Sequence, residues 1–97
     1  MTGPAIHSAG LDPRRRRLAY RAWHRGTREM DLVMGGFADA ALAELTPAEV
    51  DAFEALIEVP DPDLFAWLTS AEPLPPAYDT PLFRRFKSFH ARPASER

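Results

Sequence analysis

Apolar residues recur along this chain at helical spacing in five stretches, and no stretch alternates with the period of a strand. The first covers residues 13–25, with Leu18, Ala19, Ala22 and Trp23 on its inward side, Tyr20 at the edge and arginines elsewhere. The second covers 28–43 and spaces Met30, Val33, Met34, Phe37 and Ala41 as a core-facing stripe. A third, 47–58, turns Val50, Phe53, Leu56 and Ile57 inward and its acids outward; a shorter fourth, 62–70, turns in Leu64, Phe65 and Leu68. The last, 81–91, carries Leu82, Phe83, Phe86 and Phe89. The pattern predicts an all-α fold, a compact five-helix bundle over residues 12–92, with 1–11 a flexible N-terminal tail and 93–97 a C-terminal tail.

The helix starts are marked alike. Asp12-Pro13, Thr46-Pro47, Asp61-Pro62 and Thr80-Pro81 each place a capping oxygen before a proline, whose missing N–H would be unpaired in a first turn anyway. Thr46-Pro47-Ala48-Glu49 is also a capping box. Val59-Pro60-Asp61-Pro62 predicts a stiff corner, since a residue before proline is pushed out of the α region. Residues 71–79, with three prolines, predict an extended loop. Gly35-Gly36 interrupts the second stripe and predicts a bend, a break or close packing there. Trp67 is either core or a partly exposed anchor.

Composition narrows the possibilities. A chain of 97 residues without cysteine has no disulfide, thiolate chemistry or Cys-based zinc site, and suits a reducing compartment. One small domain of this length buries about 60–65 % of its unfolded surface, leaving little room for a deep active-site cleft. No apolar run approaches the roughly 18 residues of a membrane span, and the first 12 lack a signal-type apolar core, so a cytoplasmic bacterial protein without membrane insertion is expected. His7, His24 and His90 are never four apart, so neither a metal site nor a catalytic triad can be drawn.

The formal net charge of −2 conceals a division. No basic residue lies between Glu29 and Phe83, whereas that interval holds all of the 14 acids except Asp12 and Glu96. Mutual neutralisation within the domain is expected for much of this charge, with the run Arg14 to Arg17 as a solvated helix face.

The segment Arg25-Gly26-Thr27-Arg28-Glu29 joins the first two helices. As a plain corner it is fully accounted for: Gly26 supplies a left-handed residue after one helix, Thr27 caps the next, and Glu29 meets the positive end of that helix's dipole. As a contact surface, the glycine admits a partner's backbone while the charged neighbours make charge-assisted hydrogen bonds to it. A lone carboxylate on such a corner is placed better for contact than for general-base catalysis.

His24-Arg25-Gly26-Thr27-Arg28-Glu29-Met30-Asp31 resembles the R-G-x-x-E signature of the SdhE family, the succinate dehydrogenase assembly factors also called flavinators or FAD assembly factors. Asp61-Pro62-Asp63-Leu64-Phe65-Ala66-Trp67-Leu68 resembles the family's second block, in register with the first, and the similarity covers roughly residues 14–90. The resemblance implies a five-helix domain that is not itself an enzyme and has no catalytic residue or metal. It implies binding to the flavoprotein subunit of succinate dehydrogenase or fumarate reductase and promotion of covalent FAD attachment to a histidine there. The cofactor is then carried by the partner and not bound by this chain. Arg25, Gly26 and Glu29 match the functional motif, with Tyr20 and Asp31 as supporting positions and Arg28 beside them. Gly35-Gly36 departs from the family pattern, where bulkier residues or proline are common. A monomer alone and a 1:1 complex are expected. The alternative, a helical nucleic-acid-binding module using Arg14 to Arg17, Arg21 and Arg28, fits poorly with a sequence pI of about 5.9 and an acidic middle.

Overall fold

The computed structural model describes residues 10–93. Among them are five α-helices and two 3-10 turns, with no strand: α1 (Pro13–Trp23), α2 (Arg28–Ala41), α3 (Pro47–Ile57), α4 (Asp61–Leu68) and α5 (Pro81–Ala91), the turns being Leu42–Glu44 and Pro76–Tyr78. The all-α expectation holds. Readings that concern residues 1–9 and 94–97, including His7 and the outer parts of both tails, lie outside the described residues. The chain divides between Thr46 and Pro47 into two compact units.

In the first unit α1 starts where its capping signal stands: Asp12 is extended and its carboxylate accepts the Arg15 N–H at 2.9 Å. That N–H, and then the Arg15 guanidinium, hold the Asp12 carboxyl below the usual carboxylate range. Arg15 departs from the solvated face expected of the arginine run. Its Nε donates to the Leu42 carbonyl at 3.0 Å and a terminal nitrogen donates to that of Leu45 at 2.6 Å, tying α1 to the chain beyond α2. The planar guanidinium makes this possible, since its Nε and a terminal nitrogen are separate donors held at a fixed spacing.

Helix α2 runs unbroken through Gly35-Gly36. Of the outcomes that pair predicted, a break is absent and close packing is present, the latter only at Gly35, which lies against the Trp23 ring; Gly36 has open space beside it. Trp23 is further fixed by its Nε1, which donates to Asp39 at 3.1 Å. Leu18, Ala19 and Ala22 of α1 and Met30, Met34 and Phe37 of α2 are buried, as their spacing predicted. The helix stops at Ala41, two residues early, because the chain tightens into the 3-10 turn that brings the Leu45 N–H to the Leu42 carbonyl.

In the second unit Val50, Phe53, Leu56 and Ile57 of α3 and Leu82, Phe83 and Phe86 of α5 are buried. These two helices pack together, with Arg85 meeting Glu49 at 3.4 Å. Helix α5 starts as expected, the Thr80 hydroxyl accepting the Phe83 N–H at 3.1 Å. Helix α4 corrects two expectations. It begins at Asp61 with Pro60 as the extended cap, so Asp61 is a first-turn carboxylate and not the capping residue. Of its apolar residues only Leu64 is fully buried, and Phe65, expected inside, is 51 % exposed. Two turns of helix present one narrow stripe, and Phe65 stands about 100° around the axis from Leu64. The following loop is not wholly extended: its 3-10 turn brings the Tyr78 ring to Trp67, centroids 4.9 Å apart. Trp67 is thereby a half-buried anchor within its own unit.

Candidate functional site

The α1–α2 corner begins where α1 ends, at Trp23, two residues before the expected stop. The cause is a competition for one carbonyl. The backbone N–H of His24 turns to Arg21 at 3.2 Å, while its ring Nδ1 lies 2.6 Å from the Tyr20 carbonyl oxygen that a continuing α-helix would have given to that N–H. A carbonyl oxygen only accepts, so Nδ1 is the donor in this contact. The same fold-back stacks the His24 ring on Tyr20, centroids 3.9 Å apart and planes 17° from parallel. Tyr20 remains 60 % exposed, a large aromatic held at the surface by a neighbour one turn on.

Because the helix stops early, Gly26 is not its first residue past the end but the pivot immediately before Thr27. Its φ of +116° is a conformation that side chains rarely adopt, and a Cβ there would meet nothing within 4 Å. Thr27 is extended and caps α2 as predicted, its hydroxyl accepting the Met30 N–H at 3.2 Å. The Thr27 carbonyl takes the Asp31 N–H at 2.9 Å in the first helical bond. The Asp31 carboxylate turns back along α2, and its Oδ1 accepts the N–H of Arg25 at 2.5 Å and that of Gly26 at 3.3 Å.

The site residues read from sequence therefore separate. Arg25, Gly26, Arg28, Glu29, Asp31 and Tyr20 are all brought to this one corner, but they do different things there. Asp31 and Thr27 satisfy the corner's own backbone. Arg28 and Glu29 are exposed on the first turn of α2, and among the described residues their side chains meet no ionic or hydrogen-bonding partner. Leu32, one turn on from Glu29, is 48 % exposed and was missed because it falls between the core positions of α2. His24 was also missed as a contributor; the signal available was a histidine four residues after Tyr20, within reach of its carbonyl.

Such a corner has the form of a contact surface: a backbone held by internal hydrogen bonds, an open glycine, an exposed cation and anion in Arg28 and Glu29, and the aromatic ring of Tyr20 beside them. Among the described residues no group of three or more His, Cys, Asp or Glu is placed to hold a metal ion, and no helix is long and apolar enough to cross a membrane.

A family model described as a flavinator of succinate dehydrogenase, Sdh5, matches residues 16–90. Among curated proteins, the FAD assembly factor SdhE of Acetobacter pasteurianus is 47 % identical over 75 residues, which is 77 % of this chain and 69 % of that one. Succinate dehydrogenase assembly factor 2 of Mycosarcoma maydis, a mitochondrial protein, is 39 % identical over 75 residues, covering 77 % of this chain and 32 % of its own. The mitochondrial factor of the same name from Dictyostelium discoideum is 30 % identical over 74 residues, 76 % of this chain and 52 % of its own. The chain thus spans about two thirds of the bacterial relative and a third to a half of the mitochondrial ones. No solved structure matches. With both sequence blocks inside the matched region, the chain belongs to the family of succinate dehydrogenase flavinators.

Proposed function

We propose that this chain is an assembly factor that binds the flavoprotein subunit of succinate dehydrogenase, or of fumarate reductase, and promotes covalent attachment of FAD to a histidine of that subunit. The observation that carries the reading is the contrast at the α1–α2 corner. Its backbone groups are satisfied from within, while Glu29 and Arg28 project from α2 and have no partner among the described residues. Because the backbone of the corner is already held by Asp31 and Thr27, binding has only the side chains of Arg28 and Glu29 left to order.

The flavin belongs with the partner in this reading. The described residues offer FAD no glycine-rich loop for its pyrophosphate, since Gly35 is covered by Trp23 and Gly36 lies within a helix. The chain's part is to hold a flavoprotein that lacks its other subunits in an ordered state, so that cofactor and histidine meet in a productive arrangement. It acts as a single copy on a single subunit. The nucleic-acid alternative loses ground from Arg15 and Arg16, which are turned onto backbone carbonyls and do not form a row facing phosphates.

Co-purification from the source cell, with proteins identified by mass spectrometry, tests the reading. Recovery of the flavoprotein subunit in equal amount is expected. Its absence, or recovery of nucleic acid in its place, would overturn the proposal.

A further inference from the structure

We infer that Asp31 is a positioning residue of this corner, acting on the partner through the backbone of Arg25 and Gly26 and not by contact of its own charge. The inference rests on the functional reading above and deepens it, because it divides the corner into a part that binds and a part that aims.

A single oxygen holds the backbone of the corner. Oδ1 of Asp31 accepts from two consecutive amides, Arg25 at 2.5 Å and Gly26 at 3.3 Å, which lie outside both helices and have no helical acceptor. Two bonds to neighbouring amides fix the orientation of the peptide plane between them. That plane leads into Gly26, a residue without a Cβ whose unconstrained backbone visits many conformations and which here holds φ +116°. The carboxylate is a firm reference point, since the Asp31 N–H is itself in the first helical bond of α2 and its side chain leans toward the helix start. The direction in which Arg25 leaves the chain, relative to Glu29 two residues before Asp31, is thus set from α2. Asp31 is half-buried beneath the corner, whereas Glu29 is exposed upon it.

What this role requires is an acceptor at Oδ1, which the amide of asparagine also provides; contact by charge requires the carboxylate. The test uses the full chain as wild type, Asp31→Asn and Asp31→Ala. Far-UV circular dichroism checks the fold, amide hydrogen exchange is read at Arg25 and Gly26, and affinity is measured for the purified flavoprotein subunit. In Asp31→Ala both amides are expected to exchange about tenfold faster or more, and affinity to fall by about tenfold or more, with helix content unchanged. Asp31→Asn is expected to stay within about threefold of wild type in both. Equal loss of affinity in Asp31→Asn and Asp31→Ala would overturn the inference in favour of a charge contact. Faster exchange with undiminished affinity in Asp31→Ala would overturn it as well, reducing Asp31 to a local brace. Failure of the wild type to bind would instead defeat the functional reading.

Discussion

The indole of Trp23 occupies the space in which a side chain on Gly35 would begin: a Cβ built there would stand 2.2 Å from the ring's Cδ2. Trp23 is the last residue of α1, so this contact, with the Trp23 to Asp39 hydrogen bond, fixes where α1 delivers the chain to the corner. The glycine that looks like a defect in α2 is the seat of that ring.

Gly35→Ala is therefore expected to destabilise the chain by about 1–3 kcal/mol, because the indole must move within a packed site. Gly36→Ala, with open space and helical surroundings, is expected to stabilise it by about 0.5–1 kcal/mol. Urea unfolding of the two variants checks both signs, and a gain for Gly35→Ala would contradict the packing described.

Arg15 predicts a second effect. Arg15→Ala leaves the part-buried carbonyls of Leu42 and Leu45 without this donor, and a loss of about 1–3 kcal/mol is expected by the same measurement. A change within about 0.5 kcal/mol, ordinary for a surface arginine, would contradict the tie.

Asp12 makes stability depend on pH. Its folded-state pKa is lowered, so its contribution is present above the ordinary carboxylate value of about 4 and is lost as pH falls through the lower folded value. Asp12→Asn keeps a capping acceptor but cannot titrate. The difference in urea midpoint between wild type and Asp12→Asn should be constant near neutrality and shrink as acid is added; a difference that grows in acid would reverse the sign assigned here.

Much of the fold was legible because its signals are local. Asp12, Thr27 and Thr80 cap the helices that their sequences announced, and Leu18, Met34, Phe53 and Phe86 lie in the stripes that set them inside. What stayed hidden depends on partners distant in sequence. Arg15 reaches carbonyls 27 and 30 residues away, and the role of Gly35 is defined by a ring 12 positions earlier, which no composition window contains. Phe65 was misplaced because two turns of helix hold too few residues for a period to separate one buried side from its neighbour. The sequence placed these residues together at one corner, but that the Asp31 carboxylate turns back onto the corner's backbone while Glu29 stays exposed is a matter of side-chain direction, visible only in three dimensions.

Leu64 and Phe65, adjacent in the second sequence block, should respond oppositely to truncation. Leu64→Ala removes a fully buried side chain and should cost about 2–5 kcal/mol, whereas Phe65→Ala should cost less than about 1 kcal/mol. Thermal unfolding of the pair checks this, and a large loss for Phe65→Ala would place its ring inside.

Glu29, exposed on the corner and without a partner among the described residues, serves the flavoprotein and not the fold in the function proposed above. The most direct test is in-gel flavin fluorescence of the flavoprotein subunit in source cells lacking this chain and supplied with either the wild type or Glu29→Ala. Wild type should restore covalent flavin. Glu29→Ala should not, although its melting temperature should stay close to wild type, since a first-turn carboxylate contributes only about 0.3–1 kcal/mol. Full covalent flavin with a folded Glu29→Ala protein would contradict the account.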